Sequence, residues 1–328
     1  MEKMVTNSSS ILSVRDLSVE YYSFGKYTKA LRSINFDLYE NEVLGILGES
    51  GSGKSTVGFA LLNMIEEPHK ISGSVTYHLG TDVDLLKASQ GRLNRYRWSK
   101  VAMIFQASMN SFDPLATVGN NFAQLLLEKK VVKTKDEAKR RVITLFRQFN
   151  LPDITFNLFP FELSGGMKQR VSIAMAISCN PSVLIADEPT TALDTVTQFN
   201  VLQIIKDIVS SHQVKSAIFI THDVSVEFLM ADRIMIMLGG RIVEYGTKDE
   251  MRRNVKHPYT KYLLEGMISG GKSKVMQKTN SLNFKFDPDL SCPFVRQCEK
   301  ATQICSSKFP EPESITDTHV IYCYNYDR

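Results

Sequence analysis

No apolar stretch in this sequence reaches the roughly 18 residues that a helix needs to span a bilayer. The longest candidate, residues 171–186, is interrupted by Asn180 and Pro181. Residues 1–10 are polar and lack the apolar centre of a signal peptide. These absences predict a cytosolic chain whose membrane role, if it has one, comes through a partner. Strong charge is lacking too: a net +4 over 328 residues makes neither nucleic acid nor an anionic membrane an obligatory partner. Cysteine is sparse over most of the length. Only Cys179 precedes residue 292, and it ends an apolar helical run as a small core residue. There is no internal repeat and no second nucleotide motif. What remains is a chain of ordinary globular composition, 43% hydrophobic and 23% charged, long enough for a core that needs no staples.

Apolar and polar positions alternate along residues 11–22 and 33–39, which predicts strands, and residues 73–78 form a further extended segment. Residues 43–47, 101–105, 183–186, 217–220 and 234–238 are continuous apolar runs, the pattern of buried parallel strands. Strands alternating with helices predict an α/β core. Between residues 106 and 165 the pattern turns helical, and Thr134 followed three residues later by Glu137 is a capping box that opens one of these helices. This segment is expected to be a helical subdomain inserted into the α/β unit. After Leu264 the chain becomes rich in Gly, Ser and Lys, the composition of a linker to a small cysteine-containing tail. The expected division is therefore residues 1–267 and 268–328.

Gly48-Glu49-Ser50-Gly51-Ser52-Gly53-Lys54-Ser55 fits the phosphate-loop pattern G-x-x-x-x-G-K-[ST], with an apolar strand before it and a helix-forming run from Thr56 after it. Gly48, Gly51 and Gly53 let backbone N–H groups turn inward around phosphate oxygens, beside Ser50, and the helix N-terminus adds its positive end. Lys54 is expected to bridge the β- and γ-phosphates, Ser55 to hold Mg²⁺, and Thr56 to continue the cradle. Downstream, Val183-Leu184-Ile185-Ala186-Asp187-Glu188 is an apolar strand ending in two carboxylates. Asp187 is placed to hold Mg²⁺ through water, and Glu188 to polarise an attacking water.

Leu163-Ser164-Gly165-Gly166-Met167-Lys168-Gln169-Arg170 resembles the signature sequence L-S-G-G-x-x-Q-R of the ABC ATPases. The resemblance spans residues 11–267 and implies a P-loop NTPase (RecA-like) core with an inserted helical subdomain and a β subdomain. It also implies a head-to-tail dimer in which Ser164, Gly165 and Gly166 of one chain close over ATP held by the other. Gln106 resembles the glutamine that contacts Mg²⁺ and water. Asp194, in Ala192-Leu193-Asp194, resembles the D-loop acid, and His222 the histidine that contacts the γ-phosphate. Tyr21 fits the aromatic that stacks on adenine, with Tyr22 and Phe24 as competitors. Within the family, His257-Pro258-Tyr259-Thr260 with Leu263-Leu264 and the cysteine tail resemble the oligopeptide/dipeptide importer group. One departure stands out: Ala107-Ser108 follow Gln106, where that group commonly has Asp-Pro. The implied partners are a second ATPase subunit, paralogous or identical, two membrane-spanning permease subunits and, indirectly, an extracytoplasmic solute-binding protein. The implied location is peripheral, at the cytoplasmic face of the cell membrane.

The tail cysteines, Cys292, Cys298, Cys305 and Cys323, are separated by five, six and seventeen residues. Spacing alone does not identify a metal. The resemblance implies a [4Fe-4S] cluster on these four; Zn²⁺, with four cysteines or with His319 replacing one, and no metal at all are the alternatives. Two basic runs, Arg92 to Lys100 and Lys129 to Arg141, are expected to be solvated faces rather than nucleic-acid surfaces. A soluble ABC ATPase of DNA repair or translation is the rival reading. Its usual second ATPase module and long coiled-coil inserts do not appear here.

Overall fold

A computed structural model describes residues 9–105, 112–191, 193–268 and 287–327. Gln106, Ala107, Ser108, Ala192 and the predicted linker lie outside the described residues. In chain order the elements are β1 (Ser10–Ser23), β2 (Lys26–Tyr39), β3 (Val43–Leu47), α1 (Lys54–Leu61), β4 (His69–Leu79), β5 (Thr81–Asp84), α2 (Gln90–Tyr96) and β6 (Val101–Ile104). There follow α3 (Val118–Glu128), α4 (Lys135–Gln148), α5 (Gly165–Ile177), β7 (Val183–Asp187), α6 (Thr195–Ser210), β8 (Ser216–Thr221), α7 (Val224–Met230), β9 (Arg233–Leu238) and β10 (Arg241–Thr247). The last are α8 (Lys248–Arg253), α9 (Pro258–Ile268), α10 (Gln303–Ser307), β11 (Glu313–Ser314) and β12 (Val320–Ile321).

The larger sheet runs β11-β12-β10-β9-β3-β8-β7-β6, and its centre, β9-β3-β8-β7-β6, is parallel. Both faces of those strands are covered. Val101, Met103, Val183, Ile185, Ile218 and Ile220 face one core with α1 and the smaller sheet. The residues between them, Ala102, Ile104, Leu184, Ala186, Ala217 and Phe219, face another core with α5 and α6. Side chains alternate across a strand, so burial on two faces demands the continuous apolar runs seen in the sequence. The smaller sheet, β2-β1-β4-β5, is antiparallel and packs over α1.

The helical insertion forms as expected, with its first described helix beginning at Val118. Thr134 Oγ1 accepts from the Glu137 N–H at 3.2 Å, and Glu137 Oε2 accepts from the Thr134 N–H at 3.3 Å, closing the capping box. Phe122 of α3 meets Phe146 of α4 edge-on, with ring centroids 5.4 Å apart. Two strands are longer than alternation suggested: β2 begins at Lys26 and β4 at His69. The first basic run is not wholly a solvated face. Arg97 is half-buried and donates to the carbonyls of Leu62 and Asn63, capping the end of α1. In the second run, Lys129 and Arg141 also bind backbone carbonyls, those of Asn94 and Ser178.

Residues 287–327 pack onto the α/β core rather than hanging from it. β12 pairs with β10 and extends the larger sheet. Phe294 and Val295 are buried beside Ile234, Ile236, Val243 and Tyr259. Each such side chain contributes about 1.5–3 kcal/mol of hydrophobic stabilisation. Asp289 accepts from Lys29 and Arg32, both on β2, at 3.1 Å.

Candidate functional site

β3 is buried over all five of its residues and ends at the phosphate loop. Gly53, at the foot of α1, has φ +99°, and a Cβ there would stand 2.8 Å from the Ala30 carbonyl oxygen. Only glycine fits that turn without strain. No side chain caps α1, so its first N–H groups face the loop. The result is a groove of about 660 Å³ lined by Ala30, Gly48, Glu49, Ser50, Gly51, Gly53, Lys54, Ser55, Thr56, Glu188, Thr191, His222 and Leu263. Ten of these were sequence candidates or lie within the predicted loop. Ala30, Thr191 and Leu263 were missed as groove residues: Ala30 and Leu263 reach the groove from elements distant in sequence, and Thr191 stands three residues after Glu188, in the turn that follows β7.

Lys54 Nζ donates to the carbonyls of Gly48, at 2.7 Å, and Glu49, at 3.0 Å. Burial pushes its pKa down, against the pull of Glu188, Asp187 and Glu227. Ser55 Oγ donates to Asp187 Oδ1 at 3.2 Å. Burial lifts the Asp187 carboxyl to about 6, with Ser55 and Lys54 acting in the other direction. Paired oxygen donors at this separation suit a hard divalent cation. Glu188 stands one residue beyond β7 in the left-handed region, φ 44°, which turns its side chain into the groove. His222 Nδ1 lies 2.9 Å from Glu188 Oε1, and Thr191 Oγ1 donates to Oε2 at 2.8 Å. Burial would raise the Glu188 pKa, but the bonds from His222 and Thr191 outweigh it and hold the carboxyl below its ordinary range.

Other candidates stand apart from this groove. Ser164 caps α5 by accepting from the Met167 N–H at 3.4 Å, Gly165 has open space where a Cβ would lie, and Gly166 packs on Thr197. Asp194 caps α6, accepting from the N–H groups of Val196 and Thr197 at 3.1 and 3.0 Å. Tyr21 is half-buried on β1, packs against the core of the smaller sheet, and does not line the groove.

Cys292, Cys298, Cys305 and Cys323 all line one small cavity, of about 20 Å³, with His257, Phe294 and Tyr324 among their neighbours. Burial, and the proximity of the other thiols, push Cys292 up to about 12 and Cys323 up to about 11. Among the described residues no three His, Cys, Asp or Glu side chains are disposed around a single metal ion. His319 does not line this cavity. It is fully buried with its Nε2 2.8 Å from Glu244 Oε1.

Residues 31–191 match the family model described as ABC transporter, and residues 243–305 match that described as oligopeptide/dipeptide transporter, C-terminal region. The dipeptide transport ATP-binding protein DppD of Bacillus subtilis is 34% identical over 324 residues, covering 97% of this chain and 95% of that one. The chain belongs to the ABC transporter ATP-binding proteins. A second relative, the oligopeptide transport ATP-binding protein AmiE of Streptococcus pneumoniae, is 40% identical over 267 residues, 80% of this chain and 74% of its own. Among solved structures, the dimeric bacterial ABC transporter cassette MJ0796 aligns with a TM-score of 0.64 at 26% identity, over 72% of this chain and 98% of that one. The same cassette is known in a post-hydrolysis state bound to ADP and Pi. This ABC protein is accordingly an ATPase with the P-loop NTPase fold, and no helix among its described residues is long and apolar enough to cross a membrane.

Proposed function

We propose that this chain is the ATP-hydrolysing subunit of a peptide importer, working at the cytoplasmic face of the cell membrane with separate permease subunits. The relatives' names and the match to the oligopeptide/dipeptide C-terminal region support the solute class. The observation that carries the enzymatic reading is the Glu188 carboxylate, held between His222 and Thr191 at the mouth of a phosphate-loop groove. Held there ionised, Glu188 accepts a proton from water attacking the γ-phosphate, while His222 orients it. Lys54 has three N–H donors, so its ammonium reaches the phosphate oxygens while one donor stays on the Gly48 carbonyl. Ser55, Asp187 and Gln106 are the residues that would hold Mg²⁺, which supplies charge neutralisation at the β- and γ-phosphates.

Asp194, the exposed Ser164 and Gly165, and half-buried Gly166 lie off the groove, and in this reading they complete the site of a second ATPase subunit. The dimeric form of MJ0796 supports that arrangement. Two ATP molecules fully contacted only in the closed pair are a source for the roughly 5.5 kcal/mol needed to move a two-state transporter from 1:99 to 99:1. Residues 1–267 form the ATPase unit and 268–328 the tail. The four tail cysteines line one cavity and are the thiol donors that would hold an iron–sulfur cluster. A group bound there would help to order the lobe, since metal binding is folding free energy.

Glu188→Gln tests the catalytic assignment. The variant is expected to bind ATP with the parent's affinity, to lose about 10²–10⁴-fold in hydrolysis, and to accumulate a closed dimer on size-exclusion chromatography. Hydrolysis at the parent rate would remove Glu188 from the mechanism.

A further inference from the structure

α9 carries Tyr259 from beside the cysteine cavity to the underside of the phosphate loop. Its ring is buried, 1% exposed, and meets Phe294 edge-on with centroids 5.4 Å apart. Its hydroxyl accepts from the Glu49 N–H at 3.3 Å. The opposite edge of that same peptide unit is the Gly48 carbonyl, which accepts from Lys54 Nζ at 2.7 Å. A peptide unit is planar, so its N–H and its C=O cannot turn independently. Whatever orients the Glu49 N–H therefore orients the carbonyl against which the Lys54 ammonium rests. A phenylalanine would pack on Phe294 equally well, and a hydroxyl is costly to bury without a partner. The hydroxyl is thus explained by the bond it makes to the loop.

We infer that Tyr259 is a positioning residue of the ATP site, setting the Gly48–Glu49 peptide so that Lys54 is presented to the phosphates. The inference rests on the reading of the groove as the ATP site. It also ties that site to the C-terminal lobe. His257 Nδ1 accepts from the Tyr259 N–H at 3.0 Å, and His257 and Phe294 line the cysteine cavity. One helical turn beyond Tyr259, Leu263 lines the groove itself. A single helix therefore touches the tail cavity and the phosphate loop, and Tyr259 is its polar contact with the loop.

The test is a double-mutant cycle in the full-length chain, with ADP affinity measured by calorimetry for the parent, Tyr259→Phe, Lys54→Ala and the pair. A neutral hydrogen bond contributes about 0.5–1.5 kcal/mol net, so Tyr259→Phe is expected to weaken ADP binding by about 2- to 12-fold. Because Tyr259 acts through Lys54, the same substitution in the Lys54→Ala background is expected to change affinity little. Unchanged affinity in Tyr259→Phe overturns the inference. An equal loss in both backgrounds does so too, because it marks a general loosening of the lobe. If the parent binds no nucleotide, the reading of the groove falls first and this inference with it.

Discussion

Glu227 gives the sharpest quantitative expectation. It lies on α7, wholly buried, and neither carboxyl oxygen has a hydrogen-bond partner. A Cβ built on Gly45 would stand 1.8 Å from its Oε1, so the carboxyl lies directly across the backbone of β3 below the phosphate loop. Burial raises its pKa well above the ordinary 4.5, and the charge of Lys54 is the opposing influence. In the unfolded chain the group ionises near pH 4.5, while in the folded chain it keeps its proton to higher pH. Between those two values the native state holds a proton that the unfolded state has lost, so this group makes the fold less stable as pH rises. One proton corresponds to a slope of at most about 1.4 kcal/mol per pH unit. Below pH 4.5 the contribution is constant. Glu227→Gln keeps the shape and removes the titration. Unfolding free energies from urea transitions at pH 5, 6, 7 and 8 should therefore show a variant-minus-parent difference that grows with pH. Ordinary surface substitutions change stability by within about 0.5 kcal/mol, so growth over two units is readily resolved. A difference independent of pH would refute the argument. One that shrinks with pH would mean the carboxylate is ionised and stabilising.

Two further expectations concern the insertion and the tail. Thr134→Ala removes one half of the capping box on α4 and should destabilise the chain by about 0.5–2 kcal/mol in the same urea assay, with ATP affinity unchanged. Protein purified without oxygen should carry iron and acid-labile sulfide, with visible absorption that is lost on replacing Cys298 by Ser. Absence of iron, sulfide and colour would eliminate the cluster.

The parts of the site legible in the sequence were those encoded by a contiguous run. The phosphate loop, the carboxylates after β7 and His222 after β8 each follow an apolar strand, and parallel strands end on one side of the sheet. Strand-end residues therefore meet without any information beyond the pattern, and Glu188 and His222 lie 2.9 Å apart. Thr134 and Glu137 were legible for a similar reason, because a cap is a local structure. Arg97 was not: its charged neighbours resemble a solvated face, and only folding brings the end of α1 to its guanidinium. Neither was His319, whose buried pairing with Glu244 joins β10 to the tail.

By itself the sequence determined the α/β core, the phosphate loop, the strand-end acids and the chain's likeness to the ABC ATPases, because each depends on short-range spacing. Only the tertiary structure decided what the C-terminal lobe does with its residues. It gathers cysteines spread from residue 292 to residue 323 around one cavity, adds β12 to the sheet of the core, and sets the Tyr259 hydroxyl 3.3 Å from the Glu49 nitrogen. Those contacts join segments up to 210 residues apart. They depend on how apolar surfaces close upon one another, which no local pattern of residues specifies.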